Sequence, residues 1–143
     1  MNNMKSVIHS NQEKIIDDFS DFDDWFDIYN YLISKGKSFD PNDNAIRNDK
    51  YSIGGCQSSV WIKAEKKRKS IHYTADSDSL IIKGIISLLL DVINDQEPSE
   101  IINADLYFLD EIGLHSNLSP SRTNGLNSII HEIKEKAKLL STD

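Results

Sequence analysis

A single cysteine, Cys56, stands among the 143 residues, so no disulfide can form within the chain. That excludes a secreted, disulfide-stapled domain. One thiol is also too few for an iron–sulfur cluster site, which takes several thiolates, and no Cys/His pair has zinc-ligand spacing. Cations are in deficit: 16 Lys and Arg face 23 Asp and Glu, a formal charge of −7. A nucleic-acid binder ordinarily carries a basic face, so that class is disfavoured. No apolar run reaches the length of a membrane span. Met1-Asn2-Asn3-Met4-Lys5 leads into polar sequence and not into a signal-peptide core. The expectation is a cytoplasmic protein with neither membrane nor nucleic-acid partner. His9, His72, His115 and His131 are scattered and offer no recognisable base for a cysteine hydrolase. No cofactor is expected, since no glycine-rich phosphate loop or pyridoxal lysine motif is evident.

What is present fits one domain, residues 1–143, with 38% apolar residues to build a core. Ser10-Asn11-Gln12-Glu13 has the form of a capping box, opening a helix with Ile15, Ile16 and Phe19 inward. Asp21, Asp23 and Asp24 suit the positive end of the next helix. Trp25, Ile28, Tyr29, Leu32 and Ile33 recur at helical spacing as core, and Gly36 reads as the stop. The polar stretch Lys37–Lys50 reads as a long loop. Tyr51–Ile53 and Ser59–Glu65 read as short strands, with Val60 and Ile62 facing one way, Ser59 and Trp61 the other. Lys66-Lys67-Arg68-Lys69 is a solvated hairpin turn before a third strand, Ser70–Ala75.

From Ser79 to Ile93 the chain is apolar nearly all round, the mark of a buried helix. Asp76 and Asp78 are expected to cap it, and Gly84 to pack closely against the sheet. Pro98 to Ala104 and Leu106 to Ile112 read as short helical pieces, ended by Gly113. Ser119-Pro120 is an N-cap and N1 pair for a last helix, whose inner face is Leu126, Ile129, Ile130, Ile133, Ala137 and Leu140. The fold class expected is α+β, a small antiparallel sheet with helices packed against it.

Chemistry concentrates in Ser52-Ile53-Gly54-Gly55-Cys56-Gln57-Ser58-Ser59-Val60-Trp61. Gly54 and Gly55 allow a tight bend, and the only thiol follows them. Arg122 falls in the first turn of the last helix, against the helix dipole. An arginine beside free helix-start amides makes an anion site. Folded near Cys56, it would lower the thiol pKa and hold a thiolate or persulfide. The bland readings stand beside these. Cys56 also fits a small buried apolar residue, Arg122 a surface cation paired with Asp78 or Glu111, and Arg47 a solvated charge. Val60 and Trp61 are candidates for an apolar shield over the thiol, and equally for strand packing.

Gly55-Cys56-Gln57-Ser58-Ser59-Val60-Trp61 resembles the signature of the SufE family, the sulfur-acceptor proteins of iron–sulfur cluster assembly. Asp76-Ser77-Asp78 with Ile82-Lys83-Gly84, Leu118-Ser119-Pro120-Ser121-Arg122 with Gly125-Leu126, and Trp25 through Gly36 resemble three further family segments in the same order. Gly54 departs from the lysine or glutamine usual there. The resemblance runs from about Glu13 to Ala137 and implies a SufE/IscU-like fold. It implies that Cys56 takes persulfide sulfur from a pyridoxal-phosphate cysteine desulfurase (SufS-like), stimulates that enzyme, and delivers sulfur to an iron–sulfur scaffold complex (SufBCD-like). The pyridoxal cofactor would be the partner's, and this chain a carrier and not an independent enzyme. Arg122 would steady the charged sulfur, and Gly54, Gly55, Gln57, Ser58 and Trp61 would form the supporting loop. Arg47 resembles a family loop arginine. The alternative is a non-catalytic module that regulates a desulfurase or related partner. Monomer and homodimer both stay open.

Overall fold

Helix α3 (Leu80–Ile93) is the centre around which the other elements are arranged. Ten of its 14 residues are buried, so it must be covered on every side. A computed structural model describes residues 6–141 and shows how this is done. Helices α1 (Val7–Phe19) and α2 (Trp25–Ser38) pack on one flank. A two-stranded antiparallel sheet, β1 (Val60–Lys67) and β2 (Ser70–Ser77), lies on another. The short helices α4 (Pro98–Ile102), α5 (Phe108–Glu111) and α6 (Leu114–Asn117) lead to the long last helix α7 (Pro120–Leu140). The expected α+β architecture is what the chain adopts.

Local chemistry accounts for most boundaries. Ser119 accepts the Arg122 N–H at 3.3 Å and Pro120 follows at N1, as read from sequence. Asp24 accepts the Asp27 N–H and caps α2. Helix α1 starts earlier than its sequence suggested: Ser6 accepts the His9 N–H, and Ser10 lies inside the helix. Glu13, the supposed second half of a capping box, accepts a hydrogen bond from the Tyr107 hydroxyl instead. Asp76 and Asp78 do not cap α3. Ser79 does, accepting the Ile82 N–H, which frees both carboxylates for long-range contacts.

The strands pair from Val60 opposite Ser77 to Lys67 opposite Ser70, and the chain reverses through Arg68 with φ 59°. The basic tetrad is thus the hairpin end, as expected. Tyr51–Ile53 is not a full strand. Tyr51 closes a 3-10 turn, Asp49–Tyr51, held by the Asn48 side chain on the Lys50 N–H. Only Ser52 then bridges to Trp61, with the Ile53 N–H donating to the Val60 carbonyl at 3.0 Å. Val60 and Ile62 are fully buried on the inner face with Ile71, Tyr73 and Ala75. The Tyr73 hydroxyl donates to the Ile133 carbonyl at 2.6 Å and ties α7 to the sheet.

Helices α2 and α3 touch backbone to backbone. A Cβ on Gly36 would lie 2.1 Å from the Leu80 carbonyl oxygen, and one on Gly84 would lie 2.1 Å from that of Leu32. Gly36 is therefore a packing residue inside α2 and not its stop; α2 ends at Ser38 where Phe39 turns extended. Gly84 does pack closely, but on α2 and not on the sheet. Among the described residues no helix is long and apolar enough to cross a membrane. Gly84→Ala should destabilise the fold by about 2 kcal/mol or more, because the clash outweighs the roughly 1 kcal/mol gain in helix propensity. Chemical denaturation measures this, and an unchanged or raised midpoint would contradict the packing account.

Candidate functional site

The bend before the cysteine is built on Gly55, whose φ of 82° lies in the left-handed region that glycine enters freely. Ser128 on α7 donates to the Gly55 carbonyl at 3.4 Å. Ser121, near the start of α7, donates to the Gln57 side-chain oxygen at 3.0 Å. The bend is thereby laid against the first turns of α7. Cys56 is half-buried between them, its thiol directed at the Gly125 carbonyl 3.6 Å away. Gly54 projects into open space.

A cavity of about 280 Å³ opens beside the thiol. Cys56, Gln57 and Ser58 line it from the bend, Val60 from β1, Ile82 from α3, and Ser121, Arg122 and Gly125 from α7. At Gly125 the wall is bare backbone, since even an added Cβ would stay 3.7 Å from the sulfur. Arg122 is exposed, and among the described residues it has no carboxylate partner. The pairing with Asp78 or Glu111 is not made; Asp78 accepts the Ser59 N–H instead, at 3.1 Å. A larger cavity, about 630 Å³, lies elsewhere, between α2, β2 and α3. It contains no thiol and no unpaired cation among its charged groups: its Lys35 faces Asp91 and its His72 contacts Asp95.

The sequence-predicted residues do not all converge. Cys56, Gln57, Ser58, Val60 and Arg122 share the cavity wall. Trp61 does not, because strand alternation turns it to the opposite face, where the Arg47 guanidinium lies 4.8 Å above its ring. Arg47 is not a free solvated charge either. Its Nε donates to an Asp76 carboxylate oxygen at 2.9 Å and its Nη2 to the Ser77 carbonyl at 3.2 Å. Asp76 is 5% exposed and has Lys83 on its other oxygen at 3.6 Å. Ile82 and Ser121 entered the sequence reading as members of family segments and not as site residues, and Ser128 did not enter it. A signal existed for the serines: Ser121, Gly125 and Ser128 recur at helical spacing along one side of the apolar stripe.

Burial pushes the Cys56 thiol above its ordinary range, with no opposing cation strong enough to bring it down. The sequence had suggested the reverse. In this conformation desolvation favours the protonated thiol, and Arg122 is exposed at the cavity wall. Among the described residues no group of three or more His, Cys, Asp or Glu could hold a metal ion.

The SufE model, described as an Fe–S metabolism associated domain, matches residues 13–137. The chain belongs to the SufE family. It is 34% identical over 132 residues to an uncharacterized SufE-like protein of Rhizobium etli, covering 89% of each chain. It is 33% identical over 131 residues to one of Rhizobium meliloti, covering 88% of this chain and 94% of the relative. The solution structure of a hypothetical protein of Thermus thermophilus superposes with a TM-score of 0.75 over 93% of this chain and 97% of that one. At 13% identity that likeness speaks for the fold alone. Membership ties this SufE protein to iron–sulfur metabolism, and every residue lining its thiol cavity falls inside the matched span.

Alkylation of Cys56 by iodoacetamide follows the thiolate fraction. The raised pKa therefore predicts a rate that climbs with a midpoint above about 8.5, the ordinary thiol value. A midpoint at or below that value, measured on the folded protein, would mean that Arg122 dominates over burial after all.

Proposed function

We propose that this SufE protein is a sulfur carrier. It receives sulfur on Cys56 from the persulfide of a SufS-like, pyridoxal-phosphate cysteine desulfurase, stimulates that enzyme, and hands the sulfur to a SufBCD-like iron–sulfur scaffold complex. The observation that carries the reading is the lone thiol beside a cavity larger than the thiol itself needs, lined also by Arg122, which has no carboxylate partner among the described residues.

The step is a thiol exchange. The Cys56 thiolate attacks the outer sulfur of the partner's persulfide. The partner's S–S bond breaks and its electron pair leaves with the partner's thiolate. A new S–S bond forms on Cys56, and the proton given up by Cys56 ends on the partner's sulfur. One persulfide and one thiol become one thiol and one persulfide, with no net oxidation. Arg122 supports the terminal sulfur anion that results, and Val60, Ile82 and the bare backbone of Gly125 make the dry side of its seat. The raised thiol pKa fits a carrier that stays unreactive alone and is deprotonated when a partner draws the loop outward. The chain acts in this reading as a single domain in the cytoplasm. It has no catalytic cycle of its own.

Incubation with the desulfurase, pyridoxal phosphate and cysteine should add one reducible sulfur to the wild type by intact mass, and none to Cys56→Ser. A Cys56→Ser protein that still stimulates the desulfurase fully would turn the reading into that of a regulatory module. Arg122→Ala should slow loading by about 10- to 100-fold without unfolding the protein, the range expected for losing a hydrogen bond to a charged group. Single-turnover loading kinetics check this.

A further inference from the structure

The segment that carries Cys56 is fastened at both ends to the same three residues, Asp76-Ser77-Asp78, where β2 passes into α3. At its downstream end the Ser77 hydroxyl donates to the Ser59 carbonyl at 2.7 Å, and the Ser59 N–H donates to the Asp78 carboxylate. At its upstream end stands Arg47, on Asp76 and on the Ser77 carbonyl. Residues 48–58 form a closed loop between these two feet. Ile46, next to Arg47, is 2% exposed and sinks the upstream foot into the fold.

We infer that Arg47 is a positioning residue for Cys56: it clasps the upstream foot of the loop and so keeps the thiol seated against α7. Three contacts of one guanidinium make the clasp, namely a carboxylate, a carbonyl and the face of Trp61. Only a planar fork can make them together; a lysine reaches the carboxylate as a point charge but neither forks nor stacks. The arrangement also separates the clasp from the fold. Without Arg47, buried Asp76 keeps Lys83 and the Ser77 N–H at 2.8 Å, so no buried charge is stranded. Removing Arg47 therefore loosens the upstream foot, which Ile46 and the Ser52–Trp61 bridge still hold, and leaves the core largely untouched. The loosened foot lets the thiol leave its seat against α7 more often, with the Ser128 and Ser121 contacts as the remaining ties.

The part of this inference that concerns sulfur rests on the carrier reading; the seating of the thiol does not. The test is the rate at which folded protein reacts with a small aromatic disulfide reagent at Cys56. Arg47→Ala should react at least about tenfold faster than wild type, since local opening sets access to a half-buried thiol. Arg47→Lys should fall between the two. Ile133→Val, a core truncation with a comparable drop in melting temperature, should react like wild type. Tryptophan emission should shift in Arg47→Ala, reporting the uncovered Trp61 ring, and not in Ile133→Val. If Arg47→Ala reacts no faster than Ile133→Val, the clasp is refuted; if Arg47→Ala does not fold, Arg47→Lys decides in the same way. A second arm loads the wild type and Arg47→Ala with sulfur from a desulfurase and follows its loss to added small thiol. Faster loss from Arg47→Ala supports the clasp, and equal loss refutes it. Absence of any loading on the wild type with the reagent rates still altered would refute the carrier and leave the clasp standing.

Discussion

A helix that is apolar almost all round cannot stand until each of its sides has a cover, and that demand on α3 organises the molecule. The sheet covers one side and α1 and α2 another, with α2 approaching so closely that only hydrogen fits at Gly36 and Gly84. Helix α7 closes the remaining gap through Leu126, Ile129 and Ile133. Since β2 runs straight into α3 and α7 packs on β1 and α4, the start of α7 arrives beside the beginning of β1. The thiol-bearing bend lies in that corner. The site is a by-product of how one greasy helix is wrapped.

The corner explains why the thiol is quiet. Burial against Val60, Ile82 and the α7 backbone at Gly125 favours the neutral form and outweighs the polar groups that share the cavity wall. Arg122 on the same wall is exposed to solvent. A thiol that burial keeps neutral and an exposed arginine beside it support the proposed carrier reading, in which Cys56 reacts only when a partner meets it. The acidity of the whole chain, −7, does not enter at this spot, where the local balance is cationic.

Much of this was legible in the residues, and the failures have physical reasons. The buried helix, the Ser119-Pro120 start and the basic hairpin end were plain, because each rests on contacts within a few positions. Gly36 misled because a glycine that ends a helix and one that lets two helices touch look alike until the second helix is placed. Ser10 misled because Glu13 stands three residues after it in capping-box form, while the actual cap, Ser6, lies one helical turn earlier. Asp76 looked like a cap because Ser79 and α3 are near in sequence. Its true partner, Arg47, is 29 positions away and across the hairpin. Trp61 could have been excluded as a shield from parity alone, since Val60 beside it already claims the inner face. The convergence of Cys56 with Gly125, 69 positions apart, could not be read from spacing; the sequence reading reached only Arg122, one helical turn before it.

The two adjacent glycines before the thiol have opposite liberties. Gly55 is visible to solvent yet bound to a backbone that side chains resist, with the Ser128 oxygen 2.3 Å from where a Cβ would stand. Gly54 has nothing within 4 Å and an ordinary backbone. A fluorophore, spin label or crosslinker meant to watch this loop at work should therefore be grafted at residue 54, where family members already tolerate long side chains, while residue 55 should be left alone however accessible it looks.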